Sequence, residues 1–261
     1  MRLHVLHDET NAETLPLVLL HALPLDHRMW ADVAAQVPGR VLAVDLPDRT
    51  DPPGEPSFDV AADALADVLA QAGAGRVVVA GCSMGGYLAL ALAQRHPGLV
   101  AGLGLVDTRA EADDDAARAR RAAMVSELER TRCAAAAAGA LDPAHAMVPG
   151  LLGTTTATSR PELVDRVHGW IDEQTPATVA WCQRAIGDRP DRTGTVRTFA
   201  GPVTVVVGDE DQLSGVDVAR RTAATATAAQ LVVVPQAGHL SPVEQPTAVA
   251  EALTALVLRA R

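Results

Sequence analysis

The alternation of apolar and amphipathic segments is the feature that most constrains the fold of this chain. Short runs rich in Val and Leu alternate with amphipathic stretches from the start to about Thr108, and strand-like runs resume after residue 200. This order is typical of strands and covering helices in a parallel sheet. A parallel strand buried on both faces should be continuously apolar, as residues 77–80 are. We therefore predict an α/β fold with strands at residues 3–6, 17–21, 41–45, 77–80, 103–106, 203–207 and 231–234.

Helices are predicted in two settings. Those that accompany the strands lie at about residues 26–36, 58–72, 85–95, 216–227 and 242–258. A second group falls in residues 110–199, which lack convincing strand runs. There, Ser159 and Thr175 each lie shortly before a proline and are placed to cap two helices, and the alanine run 134–138 strongly favours helix.

The length of the chain fits this division. At 261 residues it is long enough for one α/β core with an insertion. We predict that residues 1–109 and 200–261 form the core and that residues 110–199 form a helical insertion.

Composition excludes several classes of protein. Apolar residues make up 48% and charged residues 21%, as in globular proteins, and the net charge of −10 opposes nucleic-acid binding. On charge alone, a neutral or cationic small substrate would be tolerated better than a polyanion. The three cysteines form no CxxC pair, and neither a signal peptide nor an uninterrupted apolar run of roughly 18 residues is present. We therefore expect a soluble cytoplasmic protein with no nucleic-acid or membrane partner.

The segment Gly81-Cys82-Ser83-Met84-Gly85 predicts a nucleophile. It follows the buried strand at 77–80 and precedes the helix at 85–95, so the serine lies on a sharp turn where small neighbours relieve crowding. The alternative is a Gly-rich turn with an incidental serine. Cys82 is a poor rival as nucleophile, because strand alternation directs its side chain away from the tip of the turn.

A serine hydroxyl needs a base and a group that orients the base. His239 and Asp211 follow the last two predicted strands, and catalytic groups of open α/β sheets gather at the carboxyl ends of strands. Asp209 and Glu210 compete with Asp211 for the orienting position, and His27 and His168 are further histidines that could reach the same cleft. Another acid, Asp45, also follows a strand, but no histidine lies nearby in the sequence, so we expect no metal site.

These motifs resemble the α/β-hydrolase superfamily over essentially the whole chain. The resemblance rests on the order Ser83, Asp211, His239, on the pentapeptide around Ser83, and on Gly238-His239 followed by Glu244 and Pro246. It implies an α/β-hydrolase fold, a mostly parallel sheet flanked by helices with a helical cap insertion. It also favours Asp211 over its two acidic neighbours and implies that no cofactor is needed.

The segment 19–30 is similar to the oxyanion loop of that family. The resemblance implies that the backbone N–H groups of Leu23 and Met84 stabilise a developing oxyanion. Two departures are visible. Ala22 replaces the glycine that usually follows the loop histidine, and residues 48–54 replace a Gly-rich turn.

The resemblance is to small-cap members similar to 3-oxoadipate enol-lactonases, carboxylesterases and cofactor-free perhydrolases. It implies a serine hydrolase that cleaves a small carboxylic ester or lactone through an acyl-enzyme. A perhydrolase, for which Pro24 is a cue, a thioesterase or biosynthetic cyclase, and a non-catalytic binding protein stay open as alternatives. Candidate wall residues of the substrate site are Trp30, Met147, Trp170 and Trp181. The sequence leaves the substrate and the oligomeric state open.

Overall fold

The computed structural model describes residues 1–9, 14–47, 54–134 and 143–260. Its centre is a seven-stranded sheet with the strand order β1-β3-β2-β4-β5-β6-β7. β1 pairs antiparallel with β3, and the remaining pairs are parallel. The strands are β1 (Arg2–Asp8), β2 (Leu17–Leu20), β3 (Arg40–Asp45), β4 (Val77–Cys82), β5 (Val100–Val106), β6 (Val203–Gly208) and β7 (Ala229–Val234).

The seven predicted strands and the α/β-hydrolase fold are confirmed, and several strand bounds differ from the prediction. β4 continues to Cys82, so Ser83 follows the strand directly. β5 begins at Val100, three residues earlier than predicted, because Gly102 and Gly104 interrupt the apolar run. Close packing accounts for both glycines. A Cβ at Gly104 would lie 2.7 Å from the Cβ of Ala80, and one at Gly102 would lie 3.0 Å from that of Ala260.

Helices cover both faces of the sheet. Those outside the insertion are α1 (Ala31–Ala34), α2 (Phe58–Gln71), α3 (Met84–Arg95), α10 (Val216–Thr225), α11 (Ser241–Glu244) and α12 (Pro246–Arg259). Ser57 caps α2, and its side chain accepts from the backbone N–H groups of Asp59 and Val60. The helix predicted at 242–258 is divided, because Pro246 excludes the preceding Gln245 from helical geometry.

The segment between β5 and β6 contains helices and no strand in the parts that the structure describes. These helices are α4 (Asp115–Ala134), α5 (Val148–Leu151), α6 (Thr154–Ser159), α7 (Pro161–Asp172), α8 (Pro176–Gly187) and α9 (Thr193–Thr198). Thr175 caps α8 as predicted, but Ser159 ends α6 instead of capping α7, and its hydroxyl donates to the carbonyl of Thr155. Of the predicted helical alanine run, residues 135–138 lie outside the described residues, as do residues 48–53.

Burial of the central strands determines where polar chemistry can occur. β2, β4, β5 and β6 are buried throughout, while the edge strands β1 and β7 are only partly buried. Polar side chains are therefore confined to the strand ends, and the carboxyl ends of β4, β6 and β7 lie at one edge of the sheet. None of the described helices has both the length and the apolar character needed to cross a membrane.

Candidate active site

Ser83 lies in the tight turn between β4 and α3. Its backbone has φ 51° and ψ −111°, a left-handed conformation that non-glycine residues rarely adopt. The turn closes only because its neighbours are glycines. A Cβ at Gly81 would lie 2.1 Å from the backbone of Gly85, and a Cβ at Gly85 would lie 2.1 Å from the carbonyl oxygen of Leu20. The local sequence thus holds Ser83 at the tip of the strand, where it faces a cavity.

A continuous chain of hydrogen bonds joins Ser83, His239 and Asp211. The Nε2 atom of His239 lies 2.7 Å from the hydroxyl oxygen of Ser83. The Nδ1 atom of the same ring lies 3.0 and 3.1 Å from the two carboxylate oxygens of Asp211. Because the carboxylate can only accept, Nδ1 carries the proton, which leaves Nε2 free to accept from Ser83.

The surroundings of Asp211 keep its carboxylate ionised. Burial opposes the charge, but the hydrogen bond from His239 and the backbone N–H groups of Ser214 and Leu213 outweigh it and hold the pKa of Asp211 below its usual range. For His239, burial lowers the pKa, but the hydrogen bond and the charge of Asp211 raise it above its usual value. His239 is therefore a stronger base than an isolated imidazole.

The structure separates the three neighbouring acids. Glu210 accepts from the backbone N–H of Thr155 at 2.8 Å and from the hydroxyl of Thr155, at the start of α6. Asp209 is exposed to solvent. Asp211 is the one of the three that contacts His239.

Asp107 is a buried acid beside the site that the sequence reasoning did not single out. It ends β5 with φ 45°, and its carboxylate accepts from the backbone N–H of Gly208 at 2.9 Å. It also accepts from the backbone N–H and the hydroxyl of Ser241, at 3.0 and 2.6 Å. Burial and the nearby charge of Asp211 raise the pKa of Asp107 to about 7. Asp107 thus connects the end of β6 to the segment that follows His239. The sequence signal that could have identified Asp107 is its place directly after a buried strand.

Glu244 connects the helical insertion to the loop before His239. Its buried carboxylate accepts from the backbone N–H groups of Gly153 and Gly238, each at 2.8 Å. The two backbones are in close contact, since a Cβ at Gly238 would lie 2.2 Å from the nitrogen of Gly153. This contact fixes the loop that carries His239.

The expected oxyanion residues lie beside Ser83. Leu23 lines the same cavity as Ser83 and His239, and Met84 is the first residue of α3. Within the described part of the chain, no acceptor is bonded to the backbone N–H of either residue. Both groups remain free to donate, and the N-terminus of α3 favours negative charge at this point.

His21 supports the loop that carries Leu23. Its Nδ1 atom donates to the carbonyl of Ala22 and its Nε2 atom accepts from the backbone N–H of Leu46, both at 2.9 Å. Burial lowers the pKa of His21, so the ring is neutral and keeps this pattern of one donor and one acceptor.

The cavity in front of Ser83 has a volume of about 300 Å³, at the small end of the range for ligand pockets. Met147 lies in its wall, as expected, whereas the structure does not place Trp30, Trp170 or Trp181 among the lining residues. Trp30 and Trp181 are buried in the hydrophobic core, and Trp170 packs against it, which removes the three rings from the cavity. Polar lining residues that the sequence did not indicate include Arg109, Asp113, Arg120, Arg121 and Gln183.

Two histidines that are distant in the sequence lie beside Asp45 in the structure. His4 Nε2 lies 2.9 Å and His27 Nδ1 3.0 Å from its carboxylate, and the two rings stack with centroids 3.6 Å apart. The antiparallel pairing of β1 with β3, which places His4 opposite Ala43, brings these residues together. Their donor atoms could hold a metal ion, but none of the three residues lines the cavity of Ser83.

His168 does not reach the cavity of Ser83 either. Its ring stacks on His145 within the helical insertion, with ring centroids 4.8 Å apart. Among these three histidines, His239 is therefore the one that contacts Ser83.

Known proteins were compared with this chain by sequence and by structure. A 2-succinyl-6-hydroxy-2,4-cyclohexadiene-1-carboxylate synthase from Enterobacter sp. strain 638 is 29% identical over 94% of this chain and 92% of its own length. A pimeloyl-[acyl-carrier protein] methyl ester esterase from Chromobacterium violaceum is 41% identical over 38% of this chain and 39% of its own. The structure of a thermophilic esterase from Thermogutta terrifontis, with malate bound, is 32% identical, with a TM-score of 0.88 over 99% of this chain and 93% of that one.

A family model matches most of the chain. Residues 17–252, which include Ser83, Asp211 and His239, match the model described as the Alpha/beta hydrolase family. The match spans β2 to β7 and the helical insertion. The chain therefore belongs to the alpha/beta hydrolase family.

Proposed function

We propose that this protein is a serine hydrolase that cleaves a small carboxylic ester or lactone through an acyl-enzyme. The observation that carries the proposal is the chain of hydrogen bonds from Asp211 through His239 to Ser83, which opens onto a cavity of about 300 Å³. A nucleophile, a base and an orienting carboxylate in hydrogen-bond contact are the parts that acyl transfer needs.

In the first step, the Ser83 oxygen attacks the carbonyl carbon of the substrate while its proton moves to Nε2 of His239. The carbonyl oxygen becomes an oxyanion, which accepts hydrogen bonds from the backbone N–H groups of Leu23 and Met84. Asp211 keeps the ring in the tautomer that can take the proton and stabilises the imidazolium that forms.

The tetrahedral intermediate then collapses and the bond to the alcohol oxygen breaks. The alcohol leaves with the proton from His239, and the acyl group stays on Ser83. His239 next removes a proton from water, which attacks the acyl carbon, so the carboxylic acid is released and Ser83 is restored. Each of these steps uses groups of the chain and water, and none uses a cofactor or metal.

Family relationships support the proposal. A 32% identical protein that aligns over 99% of this chain carries the name esterase, and a relative that is 41% identical over 38% of this chain carries the name methyl ester esterase. The helical insertion at residues 110–199 acts as the cap in this proposal, because it supplies Met147 and other walls of the cavity. Among the described side chains, Cys82 and Cys182 are buried free thiols, which is compatible with the cytoplasmic location that the sequence led us to expect.

A fluorophosphonate probe tests the proposal directly. The wild-type protein should be labelled covalently, the Ser83→Ala variant should not, and the His239→Ala variant should lose most of its labelling rate. Ser126→Ala is a matched control, because Ser126 is an exposed serine of α4 that only bonds the carbonyl of Ala122. Equal labelling of wild type and Ser83→Ala would refute the assignment.

A screen of aryl esters, lactones and thioesters, with and without hydrogen peroxide, then separates the reaction classes that share this acyl-enzyme. Release of the free acid in water supports the hydrolase. A peracid formed in peroxide would instead identify the perhydrolase alternative.

A further inference from the structure

The cavity in front of Ser83 is richer in positive charge than the protein as a whole. The chain carries a net charge of −10, yet three arginines, Arg109, Arg120 and Arg121, line this cavity. Within the described residues, Asp113 is the only carboxylate in its lining. The local charge therefore differs in sign from the overall charge.

The lining carboxylate is already fully engaged. Asp113 accepts from Nε of Arg121 at 2.5 Å and pairs with Nη1 of the buried Arg189 at 2.7 Å. Arg121 is held further by a 2.9 Å bond from its Nη1 to the side-chain oxygen of Gln183. Asp113 thus shares its single negative charge between Arg121 and Arg189, which leaves the lining with a net positive charge.

Arg109 and Arg120 are left without a counter-charge. Within the described part of the chain, no carboxylate lies within ion-pair distance of either guanidinium. Arg109 is half-buried and lies three residues after β5. Its Nη2 donates to the backbone carbonyl of Leu213, and this bond orients the guanidinium. The other N–H donors of the guanidinium remain unused. Arg120 is exposed, on the α4 side of the cavity.

The position of Arg109 near the base has an electrostatic consequence. Its positive charge opposes protonation of His239 and so lowers the pKa of that ring, against the larger effect of Asp211. A fixed cation close to a catalytic base weakens the base unless an anion accompanies it during the reaction. A negative group on the substrate would offset this effect and would occupy the free donors.

We infer that the substrate carries a carboxylate in addition to the carbonyl that reacts, and that Arg109 binds this carboxylate, with Arg120 adding attraction at the exposed side of the cavity. This inference rests on the proposed hydrolase function. A guanidinium presents paired N–H donors that match a carboxylate, and hydrogen bonds between two charged groups are stronger than neutral ones.

The size of the cavity narrows the substrate class. About 300 Å³ suits a small molecule, such as the monoester of a short dicarboxylic acid or a lactone that bears one carboxylate. The net charge of −10 still disfavours a polyanion. The expectation from composition, that a neutral or cationic substrate would be tolerated better, is therefore replaced by a preference for a single negative charge.

A matched pair of esters tests the inference. Monoethyl adipate carries a free carboxylate, and ethyl adipamate has a neutral amide of the same shape in its place. We expect kcat/KM of the wild type to be about tenfold higher for monoethyl adipate, equivalent to about 1.4 kcal/mol. The preference should fall in 1 M NaCl, where the Debye length is about 3 Å.

Variants of the arginines assign the effect. Arg109→Gln should bring the ratio of the two kcat/KM values close to one, Arg109→Lys should keep part of it, and Arg120→Gln should reduce it by a smaller factor. Arg130→Gln is the matched control on α4, because Arg130 pairs with Glu127 and does not line the cavity. This control should keep the wild-type ratio.

A second measurement does not depend on turnover of either ester. Adipamate, which carries one carboxylate, should slow fluorophosphonate labelling of Ser83 more than the neutral adipamide does, and Arg109→Gln should abolish that difference. Equal protection by both compounds, or a preference unchanged in Arg109→Gln, would overturn the inference while labelling still supports the proposed function. Absence of labelling in the wild type would instead refute the proposed function itself.

Discussion

The side chain of Asp211 is the most informative single position to perturb, and Asp211→Asn is the change that preserves its shape. Oδ1 of Asp211 accepts from the backbone N–H groups of Leu213 and Ser214 at 2.8 and 3.0 Å, so the amide oxygen of asparagine must take that place. The amide NH₂ then faces Nδ1 of His239, where the structure has a carboxylate oxygen at 3.0 Å. Two donors cannot face each other, so His239 is forced into the other tautomer.

The consequence for catalysis can be given a size. With its proton on Nε2, His239 cannot accept from Ser83, although the two atoms stay 2.7 Å apart in the wild type. Loss of the correct tautomer in a Ser-His-Asp site lowers kcat by about 10⁴-fold, which is about 5 kcal/mol of transition-state stabilisation. The folded structure should change little, because the variant keeps the volume of the side chain.

The pH dependence adds a second readout with a defined sign. His239 must be neutral to act as a base, so activity is lost as the pH falls through its pKa. Because Asp211 raises the pKa of His239, the acid limb of the wild-type profile should lie above the usual value of 6.5. Asp211→Asn removes that charge, so the residual activity should persist to lower pH.

The assay is kcat/KM for a neutral aryl ester measured from pH 5 to 9, with circular dichroism to confirm folding. Asp209→Asn is the matched control, because Asp209 is exposed and does not contact His239, and it should behave as the wild type. Activity of Asp211→Asn within about tenfold of the wild type would refute the orienting role of Asp211.

Three further predictions concern the turn, the base and the insertion. Gly85→Ala places a Cβ 2.1 Å from the carbonyl oxygen of Leu20 and should lower the free energy of unfolding in urea by about 1–3 kcal/mol. Gly98→Ala is the control, because a Cβ there meets nothing within 4 Å and stability should change little. Equal unfolding midpoints for the two variants would contradict the packing argument. Arg109→Gln removes a positive charge near His239 and should move the acid limb of kcat/KM to higher pH. An unchanged profile would show that the two charges are not close. Glu244→Ala leaves the backbone N–H groups of Gly153 and Gly238 without acceptors, and each unpaired N–H costs about 1–3 kcal/mol of stability. Thermal unfolding of this variant should therefore begin at a clearly lower temperature than that of Glu251→Ala, a control at an exposed residue.

The sequence predicts the sheet well because its strands are defined by local features. Runs such as residues 77–80 are apolar on both faces, and glycines at 81 and 85 indicate the turn at Ser83 without tertiary information. The order of strand ends also places Asp211 and His239 near that turn. These features depend on neighbours in the chain, which sequence patterns report directly.

Features that depend on contacts between distant elements escaped prediction. His4 meets Asp45 only through the antiparallel register of β1 and β3, and Asp107 meets Ser241 only across the end of the sheet. Arg120 and Arg121 line the cavity because of the way α4 packs, and the weak amphipathic pattern of this helix does not indicate which side faces the cavity. Trp30, a candidate wall residue by size, is buried in the core instead.

Peptide mapping by mass spectrometry tests most directly the central claim that Ser83 is the nucleophile of an acyl-enzyme. After reaction with a fluorophosphonate, we predict one adduct per chain, on the peptide that contains Ser83, with no adduct in Ser83→Ala and slow formation in His239→Ala. An adduct on a different residue, or ester hydrolysis that persists in Ser83→Ala, would contradict the claim.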